Sequence, residues 1–236
     1  MTRSVHAQWI DVTAADGRRL DAYLALPPAR EGPGLVLFQE IFGVNAHIQG
    51  VAEQYAQAGF VILAPDLFWR QERRVELGYD GDDRARALAM MKALLPAELD
   101  ADIQSSVSAL RGRGETAGRK LGALGFCLGG RLAYLAATLA DVDAAVAYYG
   151  GGIQDRLDRA PAVRCPIQFH YAGKDTGIPL AAVERVQTAM AGKGADFHIY
   201  DSAGHGFNCW DRASHDPACA ALAHGRSLVF LSQRLF

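Results

Sequence analysis

A thiol, an imidazole and two carboxylates carry the chemistry this sequence offers: Cys127, His205, Asp175 and Glu40. Cys127 sits inside Gly125-Phe126-Cys127-Leu128-Gly129-Gly130. A G-x-nucleophile-x-G string has mechanical meaning only when a strand leads into it and a helix leads out. Here the apolar run Leu121-Gly122-Ala123-Leu124 precedes it and a helical pattern over 131–139 follows. Such a turn lifts its middle side chain above the C-terminal edge of a sheet. The helix N-terminus beside it favours negative charge, and therefore a thiolate. A free cysteine is otherwise a small buried hydrophobe, so the string alone does not decide.

Asp175 lies in Lys174-Asp175-Thr176-Gly177, which is also ordinary turn chemistry. His205, in Gly204-His205-Gly206-Phe207, would alone be a loop histidine. The order Cys…Asp…His is that of nucleophile, acid and base in α/β-hydrolases. On this reading the Cys127 thiolate attacks an acyl carbonyl and forms an acyl-enzyme. His205 takes the thiol proton and later activates water, while Asp175 holds its tautomer and stabilises the imidazolium. Two N–H donors must meet the oxyanion, and Leu128 and Ile41 are expected to supply them. Glu40 is either a surface glutamate capping a loop or a carboxylate beside the thiol, where burial costs energy unless it is paired. His6, His47, His170, His198, His215 and His224 are read as structural.

Those residues need a frame. Segments 5–12 and 19–26 read as two strands joined at Ala15-Asp16-Gly17, an antiparallel hairpin at a sheet edge. The continuous apolar run at 35–38, with strands at 60–64, 119–126, 144–149 and 167–171 and a last one at 197–200, suits a sheet covered on both faces. Helical patterns fill 48–58, 82–95, 97–111, 179–191 and 217–234. Residues 67–81 are polar and irregular, and a long loop over a compact sheet reads as a substrate lid. Alternating strands and helices predict one domain over 1–236. Its sheet is mostly parallel, with helices on both faces and an N-terminal antiparallel hairpin. Functional residues then gather beyond the carboxyl ends of the strands, and that edge carries Glu40, Asp66, Cys127, Tyr149, Asp175 and His205.

Composition narrows the field. The chain has 236 residues, 50% apolar, with a net charge of -2. No basic block suggests nucleic acid and no apolar run reaches membrane-spanning length. The four cysteines have neither zinc spacing nor the density of a disulfide framework. The stretch from Met1 has no signal-peptide pattern. A cytoplasmic protein, monomeric or weakly dimeric, without metal or organic cofactor, is the expectation.

Six segments together resemble the dienelactone hydrolase family: Gln39-Glu40-Ile41-Phe42-Gly43-Val44-Asn45, Pro65-Asp66-Leu67, the Cys127 hexapeptide, Tyr148-Tyr149-Gly150, Gly173-Lys174-Asp175 and Gly204-His205-Gly206-Phe207. The resemblance implies an α/β-hydrolase fold and hydrolysis of a small lactone or ester, dienelactone (carboxymethylenebutenolide) above all, as in degradation of chlorinated aromatics. It also implies that Glu40 contacts the resting thiol and gates its reactivity. Family members that cleave dienelactone hold its carboxylate with two arginines. The first position matches Arg84 or Arg86. The second, four residues after the histidine, is Cys209 here, with Arg212 available further along. Phe42, Trp69, Tyr148 and Tyr149 are expected to wall the pocket. The alternatives are a broader esterase or thioesterase, and a binding or redox-sensing protein on the same fold.

Overall fold

The computed structural model describes residues 4–236. The segment read as lacking a signal peptide begins at Met1, and its first three residues lie outside the described ones. β1 (His6–Thr13) and β2 (Arg19–Leu26) pair antiparallel from His6 opposite Leu26 to Thr13 opposite Arg19. The hairpin closes at Gly17, whose φ of +81° suits a residue without a side chain. β2 pairs antiparallel with β4 (Val61–Pro65), and from there the ladder is parallel through β3 (Gly34–Phe38), β5 (Leu121–Phe126), β6 (Ala144–Tyr148), β7 (Ile167–Ala172) and β8 (Ala195–Tyr200). The spatial order is β1-β2-β4-β3-β5-β6-β7-β8.

Every residue of β3 to β7 is buried, as the apolar runs of β3 to β6 require, while β7 buries Gln168 and His170 as a hydrogen-bonded pair. α1 (Ala46–Gln57) and α6 (Pro217–Leu235) lie against one face, with Tyr55 meeting His224 between them. α3 (Pro96–Arg111) and α4 (Leu128–Leu139) pack side by side on the other. Full burial of each large side chain there contributes roughly 1.5–3 kcal/mol. α2 (Gly81–Lys92) and α5 (Leu180–Ala189) complete the helices. α1 begins two residues before its apolar spacing, because Asn45 caps it by accepting from the Ile48 N–H at 3.3 Å.

Segment 67–81 departs from the expected lid. Leu67, Phe68, Trp69, Val75 and Leu77 are buried. The Asp66 carboxylate accepts from the backbone of Phe68 and Arg74 at 3.0 and 2.6 Å. Buried Asp21 pairs with Arg73 and Arg74. Glu76 bridges Gly43, and the Leu77 N–H reaches Phe42 O at 3.0 Å. Polar composition made this strap look detached. Its arginines are instead staples to buried aspartates, which also keep those carboxylates from standing unpaired.

Candidate active site

The elbow is explained by what a Cβ would strike. At Gly125 it would meet Gly129 O at 2.0 Å, at Gly129 it would meet Phe38 O at 2.1 Å, and at Gly130 it would meet Tyr148 O at 2.4 Å. The three glycines therefore let the start of α4 press onto the ends of β3 and β6. Cys127 takes φ 56°, ψ -113°, a left-handed conformation that a non-glycine residue holds only under constraint. The constraint is visible: Cys127 N–H donates to Tyr148 O at 3.0 Å, and Cys127 O accepts from Gly130 N–H at 3.1 Å. Cys127 remains partly exposed.

The same closeness brings the segment after β3, with Glu40 and Ile41, alongside Leu128, the first residue of α4. Two further loops are tied together at the next strand ends. Gly173 N–H donates to Tyr200 O at 2.8 Å and Lys174 N–H to Ala203 O at 2.9 Å. Asp175 and His205 thereby meet, with Nδ1 and Oδ2 2.6 Å apart. The other Asp175 oxygen accepts from Gly177 and Ile178 N–H at 2.8 and 3.2 Å. Burial pushes the Asp175 carboxyl up, but His205 and these N–H donors outweigh it and hold it below its ordinary 3.8. For His205 burial disfavours the charged ring, yet hydrogen bonding to Asp175 and Cys127, with their charges, raises it from 6.5 to about 10. The charge of Cys127 contributes to that rise, and Asp175 is a fully bonded anchor behind the ring.

Glu40 is buried. Its Oε1 accepts from Arg212 Nη1 at 3.1 Å, while Oε2 has no partner. The expected contact with the Cys127 thiol is not made in this state. The Arg212 guanidinium lies over the Gly206 backbone and takes the carboxylate instead. Burial raises the Glu40 pKa, with Arg212 and His205 opposing.

A family model described as "Dienelactone hydrolase family" matches residues 20–235. The chain belongs to the dienelactone hydrolase family. Relatives named carboxymethylenebutenolidase from Pseudomonas putida and Cupriavidus pinatubonensis are 32% and 30% identical over 225 and 228 residues, each alignment covering 94% of this chain and 95% of the relative. A solved structure from Klebsiella pneumoniae, described as a candidate dienelactone hydrolase, is 28% identical with a TM-score of 0.86, covering 98% of this chain and 99% of that one. As a member of this family the chain is an α/β-hydrolase and a carboxylic ester hydrolase.

Against this dienelactone hydrolase frame several site residues stand elsewhere than expected. Tyr148 is no pocket wall: its ring stacks on His170 at 4.4 Å and its hydroxyl bonds Ser227 at 2.7 Å, under α6. Neighbouring strand residues point to opposite faces, so Tyr149 takes that place. Its ring lies 5.1 Å from His205, its φ is 34°, and its buried hydroxyl has no partner. Trp69 also leaves the pocket, its indole N–H on Asp102 at 3.1 Å and its ring between Arg18 and Arg70. Phe42 holds its place, 4.5 Å from Tyr79, with the Arg212 guanidinium 5.6 Å from both rings. Arg86 pairs with Glu72, whereas Arg84 is exposed on α2 and forms no ion pair among the described residues.

Two residues escaped sequence reasoning. Arg212 was only an alternative there, yet it is the cation that reaches the site. His47, assigned to structure, lies in the first turn of α1 beside Glu40 and Cys209. Its closeness along the chain to Glu40 was the signal available.

Proposed function

We propose that this hydrolase opens a small lactone or ester carrying a carboxylate, through a Cys127 acyl-enzyme. The observation that carries the reading is the 2.6 Å Asp175–His205 pair at the same sheet edge as a thiol held at a strained elbow. Cys127 Sγ attacks the carbonyl carbon and its proton passes to His205 Nε2. Asp175 accepts the Nδ1–H and stabilises the resulting imidazolium. The N–H groups of Leu128 and Ile41 meet the oxyanion. The carbon–oxygen bond breaks, and His205 protonates the departing oxygen. In a lactone that oxygen stays attached to the acyl chain. Water, deprotonated by His205, then releases the acid and restores the thiol.

Arg212 is the receptor for the substrate carboxylate in this reading, in place of the arginine replaced by Cys209. It faces a choice between Glu40 and an incoming anion. Capture of the anion releases Glu40, whose raised pKa suits it to accept a proton close to Cys127. The Glu40 gate of the thiol would operate through Arg212 rather than by direct contact. Dienelactone is the leading substrate. A neutral-ester hydrolase is the second reading, favoured by Arg212 being already engaged and Arg84 being exposed. A free-thiol nucleophile suits a reducing cytoplasm, and among the described residues no helix is long and apolar enough to cross a membrane.

A chromogenic ester tests the chemistry. Wild-type protein should release a burst of leaving group equal to the enzyme concentration, with an acyl adduct found by mass spectrometry on the peptide containing Cys127. Full turnover in Cys127→Ala would refute the acyl-enzyme. Equal efficiency on matched lactones with and without a carboxylate would favour the neutral-ester reading.

A further inference from the structure

We propose that Glu40, His47 and Cys209 form a binding site for a zinc-like divalent ion, beside the triad and distinct from it. Their donor atoms, one oxygen, one nitrogen and one sulfur, all lie within 4.8 Å of one another. All three residues are buried. Glu40 Oε2 and both ring nitrogens of His47 have no hydrogen-bond partner. A buried polar atom without a partner carries the full cost of its lost hydration. Three such atoms converging beside a thiol are what an unfilled coordination shell looks like.

Three separate segments fix the donors. Glu40 follows β3. His47 is held in the first turn of α1 by the Asn45 cap, with the Trp210 ring 4.2 Å from its own. Cys209 sits in a turn in which its N–H donates to Gly206 O at 2.9 Å and its O accepts from Arg212 N–H at 3.1 Å. Trp210 also packs on Gly50, where a Cβ would come within 2.9 Å of the indole. The indole is partly exposed.

The donor set selects the ion. Thiolate, imidazole and carboxylate suit zinc or cobalt, whereas magnesium and calcium prefer all-oxygen shells. Bond lengths of about 2.0–2.3 Å place tetrahedral donors roughly 3.3–3.8 Å apart, so side-chain movement of about an ångström closes the three around one ion. The fourth position remains for water. Binding exchanges the Cys209 S–H proton for a sulfur–metal bond, and the proton leaves to solvent. Glu40 can keep Arg212 on Oε1 while the ion takes Oε2, which offsets the repulsion between ion and guanidinium. An ion held there pins Glu40 and Arg212 together and slows capture of an anionic substrate. That consequence rests on the proposed function, whereas the binding itself does not.

Cobalt titration of metal-stripped, reduced protein separates the two. One Co²⁺ per chain should produce a near-ultraviolet thiolate-to-cobalt band and strong tetrahedral visible bands. Both should persist in Cys127→Ala and disappear in Cys209→Ser. His47→Gln should weaken binding at least about tenfold. Cys209→Ser is nearly isosteric, so it decides the matter even where His47→Gln folds poorly, with far-ultraviolet circular dichroism as the check. Absence of the sulfur band in wild type would overturn the site. So would a band that survives Cys209→Ser but is lost in Cys127→Ala, which moves the ion to the triad thiol. Zn²⁺ should slow hydrolysis of a carboxylated lactone by wild type more than by Cys209→Ser, and equal slowing would overturn the inhibitory role.

Discussion

Two acid–base pairs flank Cys127, and they are finished to different degrees. In Asp175–His205 both carboxylate oxygens are used, one by the imidazole at 2.6 Å and one by two backbone N–H groups. In Glu40–Arg212 one oxygen is used at 3.1 Å and the other has no partner, with His47 and the Tyr149 hydroxyl equally unsatisfied nearby. Groups that act on every substrate in the same way can be preorganised completely. Groups that receive a variable ligand must keep bonding capacity open. On the proposed mechanism the contrast separates reaction machinery from recognition machinery.

The hardest blow to that contrast falls on the finished pair. Asp175→Asn should cut kcat about 10,000-fold, since the imidazole loses both its tautomer and its counter-charge. Glu40→Gln, which keeps an oxygen for Arg212, should lose far less, and comparable losses would erase the distinction. Stability against pH reads the same pair. A histidine raised to about 10 from 6.5 adds stability that is complete below 6.5 and drains away as pH climbs towards 10. Asp175, lowered from 3.8, adds stability that is present above 3.8 and lost as pH falls below it. Urea unfolding at a series of pH values should show a decline on the alkaline side in wild type and a flatter profile in Asp175→Asn.

Next in size is the junction that holds the two pairs together. In Gly129→Ala the new methyl would stand 2.1 Å from Phe38 O. Because rigid backbone is struck rather than a flexible side chain, unfolding free energy should fall by about 3 kcal/mol or more. Gly204→Ala, with nothing within 4 Å of the added Cβ, should stay near wild type.

The junction was legible in the sequence because it is local. Glycines around Cys127, apolar runs before and after, and an acid and a base at later strand ends define the finished pair without any knowledge of packing. The unfinished pair was not, because Arg212 and Glu40 stand far apart along the chain and meet only through the fold. The strap at 67–81 misled for a related reason. Its arginines neutralise Asp21 and Asp102, aspartates in other elements, and a polar run gives no sign of where its partners lie. Tyr148 and Tyr149 differ only in strand parity at the last residue of β6, a boundary the apolar run placed one residue late.

Recognition is expected to respond on a smaller scale. Arg212→Gln removes one charge-assisted contact, worth about 2 kcal/mol, or roughly 30-fold in KM for a carboxylated lactone. A neutral ester should be spared. Equal KM changes for both would mean that Arg212 serves only to neutralise Glu40.

The smallest effect tests the contrast in neighbouring residues. Tyr148 donates to or accepts from Ser227 at 2.7 Å, whereas the buried Tyr149 hydroxyl has no partner. Tyr148→Phe should cost about 1 kcal/mol, the usual net value of one hydrogen bond. Tyr149→Phe removes an unsatisfied hydroxyl without opening a cavity, so its unfolding free energy should rise slightly or stay within about 0.5 kcal/mol of wild type. Its kcat on a carboxylated lactone should fall only if that hydroxyl meets bound substrate. A Tyr149→Phe variant clearly less stable than Tyr148→Phe would mean that the open hydroxyl has a structural partner after all, and the recognition side would then be as finished as the triad.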